Sequence, residues 1–185
     1  MIRTALLAAA AAVAAAPLHA EGAPAGEPIE ATGPLAPLSG TLLRAGEGGQ
    51  GPVALIIPGS GPTDRDGNNP LGVTAASYRL LAEALRERGI ATVRIDKRGM
   101  FASKAAVADA NAVTIPDYIA DTGAWVTATR KATGAPCVWL IGHSEGGLVA
   151  LAAAQELEGL CGVVLVAAPG RPLGDVIKDQ IRAKP

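Results

Sequence analysis

A serine set among glycines, in Gly142-His143-Ser144-Glu145-Gly146-Gly147, is the group in this chain best placed to do chemistry. It follows the apolar run Val138, Trp139, Leu140, Ile141 and precedes the Ala- and Leu-rich LVALAAAQELEG. A run that short suits a strand buried on both faces, and the segment after it suits a helix. Strand, tight turn, helix is the context in which G-x-S-x-G holds a serine hydroxyl out as a nucleophile. A larger residue at Gly142 or Gly146 would crowd the strand against the helix. The helix aims free N–H groups and its positive dipole end at Ser144, where an oxyanion develops in acyl transfer. Alone, the five-residue pattern is weak, because an ordinary strand-to-helix turn also satisfies it.

The elements that must position Ser144 can be read in order. Thr41–Leu43 suits a short strand, and Pro52–Ile57 is the continuous apolar run of a central parallel strand. That run stops at the turn-rich Pro58-Gly59-Ser60-Gly61-Pro62-Thr63-Asp64-Arg65-Asp66-Gly67-Asn68-Asn69. Residues 74 to 88 place Tyr78, Leu81 and Leu85 on one helical face, with Gly89 as the stop. Ile90–Ile95 is another strand, followed by the charged loop Asp96-Lys97-Arg98-Gly99-Met100-Phe101-Ala102-Ser103. Thr114 caps a helix with Pro116 in its first turn and Asp117 three residues after the cap, and Tyr118, Asp121/Thr122 and Trp125 recur along it. Cys161–Ala168 forms a last strand. Strands alternating with helices predict a parallel sheet with right-handed crossovers and helices on both faces.

The chain has 185 residues, 49% of them hydrophobic and only 3% aromatic, so the core is built from Ala, Val, Leu and Ile. A formal charge of −1 gives no reason to expect nucleic acid or an anionic membrane surface as partner. Residues 1 to 20, with Arg3, an apolar run from Ala5 to Ala16 and a small Ala20, have the form of a secretory signal peptide. Pro17 and His19 break the run before it reaches the about 20 residues of a membrane span. A periplasmic or secreted protein with no stable membrane span after leader removal is expected. Residues 21 to 40, rich in Pro, Gly and Ala, read as a flexible lead-in, and 41 to 185 as one domain. Cys137 and Cys161 each open a strand. If those strands are parallel neighbours, a bridge in an oxidised compartment is one reading. Two buried thiols is the reading preferred, since neighbours need not adopt the register a bridge demands.

Three motifs stand in order after successive strands: PGSGPTDRDGN, DKRGMFAS and GHSEGG. Together they resemble the α/β-hydrolase superfamily, in its branch of secreted and periplasmic serine esterases, over roughly residues 40 to 175. The resemblance implies an α/β-hydrolase fold with a mostly parallel sheet and helices on both faces. It implies Ser144 as the acyl-forming nucleophile and the backbone N–H groups of Ser60 and Glu145 as oxyanion donors, with a small-molecule ester or acyl substrate and no metal or cofactor. Related enzymes cleave thioesters and N-terminal peptide bonds by the same chemistry. Asp64, Arg65 and Asp66 are read as tying their loop to itself, and Arg98 as fixing neighbouring loops. Met100-Phe101 stands where many relatives carry a second glycine.

The family's triad continues along the chain with an Asp or Glu and then a His. The histidines here are His19, in the leader, and His143, which should face away from Ser144 because successive strand side chains alternate. Asp175 comes too early to serve as the acid. The chain is therefore expected to be the N-terminal part of a hydrolase, lacking its last strands, with the catalytic acid and histidine elsewhere and with weak or absent turnover by itself. A non-catalytic binding or interaction protein derived from a hydrolase and using the open sheet edge is the competing class. No G-x-G-x-x-G or G-x-x-x-x-G-K-[ST] follows the strands, which sets aside a nucleotide-binding module. Mass spectrometry of exported protein is expected to find Glu21 as the first residue; an intact Met1 there contradicts the leader.

Overall fold

The most buried runs of the sequence become the centre of one sheet. The computed structural model describes residues 26–46 and 51–183, and the expected leader lies outside the described residues. In chain order the strands are β1 (Glu27–Ala31), β2 (Leu38–Leu43), β3 (Val53–Ile57), β4 (Ala91–Ile95), β5 (Val138–His143) and β6 (Leu160–Val166). The helices are α1 (Ser77–Arg86), α2 (Ile115–Thr133), α3 (Glu145–Glu156) and α4 (Leu173–Arg182). The sheet order is β1-β2-β4-β3-β5-β6. β1 and β2 run antiparallel to their neighbours, and the β4-β3-β5-β6 portion is parallel. β3 and β4 are buried along their whole length, as strands covered on both faces must be.

The alternation of side chains along these strands sorts the core into two layers. Leu55 and Ile57 of β3 face one layer with Val93, Ile95, Leu140, Trp125, Val126, Val149, Ala150 and Ala153, beneath α2 and α3. Ala54 and Ile56 face the other layer, with Leu43, Ile141, Tyr78 and Ala82, beneath α1. Trp125, the largest fully buried side chain, lies against β2, and a Cβ on Gly40 would come within 2.8 Å of its ring. α2 starts where its capping residues predict: the Thr114 backbone N–H donates to the Asp117 carboxylate at 2.9 Å, and the Thr114 hydroxyl at 2.7 Å.

Several boundaries differ from the sequence expectation. Residues 26–40 are not a flexible lead-in, because β1 lies inside them and β2 begins there. Ile29, Ala31 and Leu38 are buried, and every residue from Glu27 to Ala31 pairs with β2. An added edge strand gains backbone pairing and needs few large side chains, which composition does not register. α1 begins at Ser77, after Ala76 in the left-handed region at φ 49°, and its buried stripe is Tyr78 and Ala82 with Leu85 partly covered. Leu81 is exposed. Phe101–Ala106 forms a 3-10 segment that begins in the expected charged loop and runs past its end at Ser103.

The two cysteines are joined, contrary to the preference for free thiols. Cys137 and Cys161 form a disulfide with Cα atoms 5.2 Å apart. Val138 pairs with Leu160 and Trp139 with Gly162, so an irregularity at the start of the ladder leaves Cys161 as the extra residue beside β5. That local shift supplies the register that regular pairing need not. A bridge enclosing a loop of this size contributes about 3 kcal/mol by constraining the unfolded chain. Replacing both cysteines by serine is expected to lower the melting temperature by roughly 5–10 °C. Calorimetry of wild type and double variant checks it.

Candidate active site

Ser144 sits at the junction of β5 and α3, as residue before the first helical turn, with φ 52° and ψ −119°. A non-glycine residue in that region costs on the order of 1–3 kcal/mol and persists only where its surroundings hold it. The Ser144 N–H donates to the Val166 carbonyl at 2.9 Å, and its carbonyl accepts from the Gly147 N–H at 2.9 Å. Glycines make the turn possible through close approach. A Cβ on Gly142 would lie 2.6 Å from the Gly147 Cα, and one on Gly146 2.6 Å from the Pro58 carbonyl oxygen. The first turn of α3 therefore presses against the ends of both β5 and β3.

The loop after β3 runs beside Ser144. Built on Gly59, a Cβ would lie 3.2 Å from the Ser144 Cβ and 3.1 Å from the His143 Nδ1. The next residue, Ser60, lines with Ser144 and Glu145 a cavity of about 130 Å³, whose other lining residues are Ala167, Pro169 and the α4 residues Val176, Ile177 and Gln180. Glu145 opens α3, and the first N–H groups of a helix have no intrahelical acceptor. The structure thus brings Ser144, Ser60 and Glu145 to one cavity. A larger groove, about 660 Å³, lies between β1 and α2 at the β1 edge of the sheet, lined largely by small residues such as Ala31, Gly123 and Ala128. It has no serine at a strand-to-helix turn among its lining residues, so the smaller cavity is the candidate site.

His143 is engaged on the α1 side of the sheet. Its Nδ1 lies 2.7 Å from the Tyr78 hydroxyl, which also accepts the Gly59 N–H at 3.3 Å. Burial pushes the Tyr78 phenol above its usual value, with the Gly59 N–H opposing. Among the described residues His143 is the one histidine, and Asp175 lies on α4, exposed, beside Lys178.

The charged loops split into three roles. Asp64 ties its own turn, accepting from the Asp66 and Asn68 N–H groups at 2.9 and 2.8 Å. Arg65 and Asp66 instead reach across: Arg65 forks onto the buried Asp96 at 2.6 and 3.1 Å, and Asp66 pairs with Arg94 of β4. Only Asp64, then, ties the loop to itself as expected. Arg98 joins the loop after β4 to α2, donating to the Asp121 carboxylate at 2.5 and 2.7 Å and to Asp117 at 3.0 Å. Those hydrogen bonds hold its guanidinium above its ordinary value.

Two residues next to the site carried no special signal in the sequence. Tyr78 reads as an ordinary core position of an amphipathic helix. Lys97 reads as one of a run of charges, yet it is buried, and its ammonium donates to the Gly59 carbonyl at 2.6 Å and lies 3.5 Å from the Glu145 carboxylate. It also stands 5.3 Å from the centre of the Tyr118 ring. Burial pushes the Lys97 amine below its usual value, with Glu145 opposing. Its position two residues past the β4 terminus, where open α/β sheets place their ligands, was the available clue.

A sheet ordered β1-β2-β4-β3-β5-β6, with a serine at the strained turn between its fifth strand and the following helix, defines an α/β-hydrolase. Within that class the chain belongs to the serine aminopeptidase, S33, family, which it matches over residues 71–179, more than half its length. By sequence it is similar to Esterase EstD of Thermotoga maritima, 29% identical over 149 residues that make up 78% of this chain and 34% of that protein. The chain spans about a third of the length of this curated relative. In structure it is similar to an α/β serine hydrolase without a lid from Xanthomonas campestris, with 25% identity, a TM-score of 0.61, and coverage of 80% of this chain and 64% of that one. An esterase from Pyrococcus furiosus shares the fold at 20% identity and a TM-score of 0.64, covering 86% of this chain and 57% of its own.

The crowding at the turn yields opposite outcomes for two small substitutions. Ser144→Gly relieves the positive φ and is expected to stabilise the fold by about 1 kcal/mol. Gly146→Ala forces α3 away from β3 and is expected to cost at least about 2 kcal/mol. Urea unfolding of both beside wild type measures the two signs.

Proposed function

We propose that this chain carries the nucleophile and oxyanion hole of a serine hydrolase of esterase type, acting on a small-molecule carboxylic ester through an acyl-enzyme on Ser144. The observation that carries the proposal is the strained Ser144 facing the same cavity as Ser60 and the helix-terminal Glu145. In the reaction the Ser144 Oγ attacks the ester carbonyl and loses its proton to a base. The oxygen of the resulting tetrahedral centre takes hydrogen bonds from the Ser60 and Glu145 N–H groups; collapse expels the alcohol, and water then releases the acid. Each donor removed from such a site costs roughly 3 kcal/mol of barrier. The named relatives favour an ester, and the family name keeps an N-terminal peptide bond as the second acyl substrate of the same chemistry. The cavity of about 130 Å³ suits a short acyl group.

The base and its acid partner are assigned to no described residue. His143 is held by Tyr78, and no carboxylate beside Ser144 has a histidine to orient. That observation also favours a second reading, a binding protein that keeps the cavity without turnover. Export to the periplasm or medium is part of the proposal, and the Cys137–Cys161 bridge supports it, since such bridges persist in oxidising compartments.

The chain alone is expected to hydrolyse a short p-nitrophenyl ester little above background. Joined in frame to the C-terminal half of a homologous hydrolase that supplies an Asp and a His, it is expected to turn over, and Ser144→Ala to remove about 10⁴-fold or more of that rate. A fused enzyme that is inactive, or that keeps its full rate in the Ser144→Ala variant, counts against the esterase and for the binding protein.

A further inference from the structure

The carbonyl that Lys97 holds and the N–H proposed to meet the oxyanion belong to one peptide group. A peptide is planar and trans, so the Gly59 C=O and the Ser60 N–H point in opposite directions along one rigid plate. With the Lys97 ammonium 2.6 Å from the Gly59 oxygen, the orientation of the Ser60 N–H is set from behind. Among the described residues the Ser60 N–H donates to no other protein atom, which leaves it free for a ligand. The same ammonium lies 3.5 Å from the carboxylate of Glu145, the residue whose own N–H is the other donor. One cation from the loop after β4 therefore touches the residues of both donors, which come from the loop after β3 and from the start of α3.

We propose that Lys97 is the positioning residue of the oxyanion hole: it locks the Gly59–Ser60 peptide plane, polarises that amide toward stronger donation, and anchors the first residue of α3 through the Glu145 carboxylate. This rests on the reading of Ser144 as nucleophile given above. The polarisation follows from charge: an ammonium on the carbonyl oxygen draws electron density from the amide nitrogen, and hydrogen bonds linked through one amide strengthen each other. The geometry also accounts for a lysine at a buried position. Desolvating an ammonium is costly, and an apolar residue would fill the space beside Tyr118, Trp125 and Val149 without that cost. What an apolar residue cannot do is hold a carbonyl. The Tyr78 hydroxyl steadies the preceding peptide by accepting the Gly59 N–H, so both faces of Gly59 are fixed by side chains from other elements.

The experiment uses the whole chain with isotope labels at the Gly59 carbonyl carbon and the Ser60 amide nitrogen. It follows their resonances and the Ser60 hydrogen exchange, together with binding of butylboronic acid. The boronic acid adds to the Ser144 Oγ, forming an O–B bond and a tetrahedral boronate while the hydroxyl proton leaves to solvent. In Lys97→Met, with circular dichroism unchanged, the Gly59 carbonyl resonance is expected to move, Ser60 exchange to quicken, and boronate affinity to fall at least about tenfold. Lys97→Arg, which keeps a cationic donor, is expected to recover part of that affinity. A folded Lys97→Met with wild-type Gly59 and Ser60 signals and wild-type boronate affinity overturns the proposal. If Lys97→Met does not fold, the wild-type chain decides: a scalar coupling through the hydrogen bond from the Lys97 ammonium nitrogen to the Gly59 carbonyl carbon is expected, and its absence overturns the proposal. Failure of the underlying reading looks different. Wild-type chain that takes up no more boronate than Ser144→Ala removes the nucleophile, and the inference with it, whatever the Gly59 and Ser60 signals do.

Discussion

The close approach of α3 to the ends of β3 and β5 is the constraint on which the rest of this structure depends. Gly142, Gly146 and Gly147 have no Cβ, and the spaces that Cβ atoms would occupy are filled by neighbouring backbone and by Ala168. With the helix that near, the chain has room for one residue between strand and helix, and that residue must take a positive φ. The strain at Ser144 is thus a product of packing elsewhere. The same approach brings the Gly59–Ser60 loop against Ser144, because Gly146 lies on the carbonyls of Ile57 and Pro58 at the end of β3. Helix terminus, Ser144 and loop form one closely packed junction.

Charge then fixes what packing brings together. The loops at the C-terminal ends of β3 and β4 carry few apolar side chains, yet they are held by buried ionic contacts. Asp96 accepts from the Arg65 backbone and guanidinium and from the Ala102 N–H, and its carbonyl accepts from the Ser103 hydroxyl. Arg98 carries the connection on to α2 through Asp121 and Asp117. Each of these charges is costly to desolvate alone, and each is offset by partners whose geometry leaves little freedom. Loops that would otherwise sample many conformations are thereby given one. That is the condition for backbone donors to be of use in catalysis, since a donor that must reorganise stabilises little.

Much of this was legible in the sequence, and the failures have physical causes. Continuous apolar runs located β3 and β5, and Thr114 with Asp117 located the start of α2, because these signals are local. The turn at Ser144 was legible since its glycines report a close approach that only glycine permits. β1 was missed because its stability comes from pairing with β2, a contact between segments whose composition resembles a linker. The Cys137–Cys161 bridge was underrated because it depends on a one-residue irregularity in the ladder, and periodicity assumes a regular one. The contact made by Lys97 was obscured for a third reason, despite its place after β4. A lysine in a polar loop looks solvated in one dimension, and only the folded chain shows that its ammonium ends on a carbonyl.

The bridge between Cys137 and Cys161 has a topological consequence. The two residues are 24 apart, and between them lie β5, Ser144, the whole of α3 and the start of β6. Ser144 and the elements that strain it are therefore enclosed in a single covalent ring. A protease that cuts once inside that ring opens it without separating the pieces, and the ends stay tethered at the foot of β5, at the opposite end of that strand from the serine. The chain on either side of the ring has no such safeguard. A single cut there divides the molecule, so damage to this protein is graded by position, and the turn that carries Ser144 lies in its best protected segment.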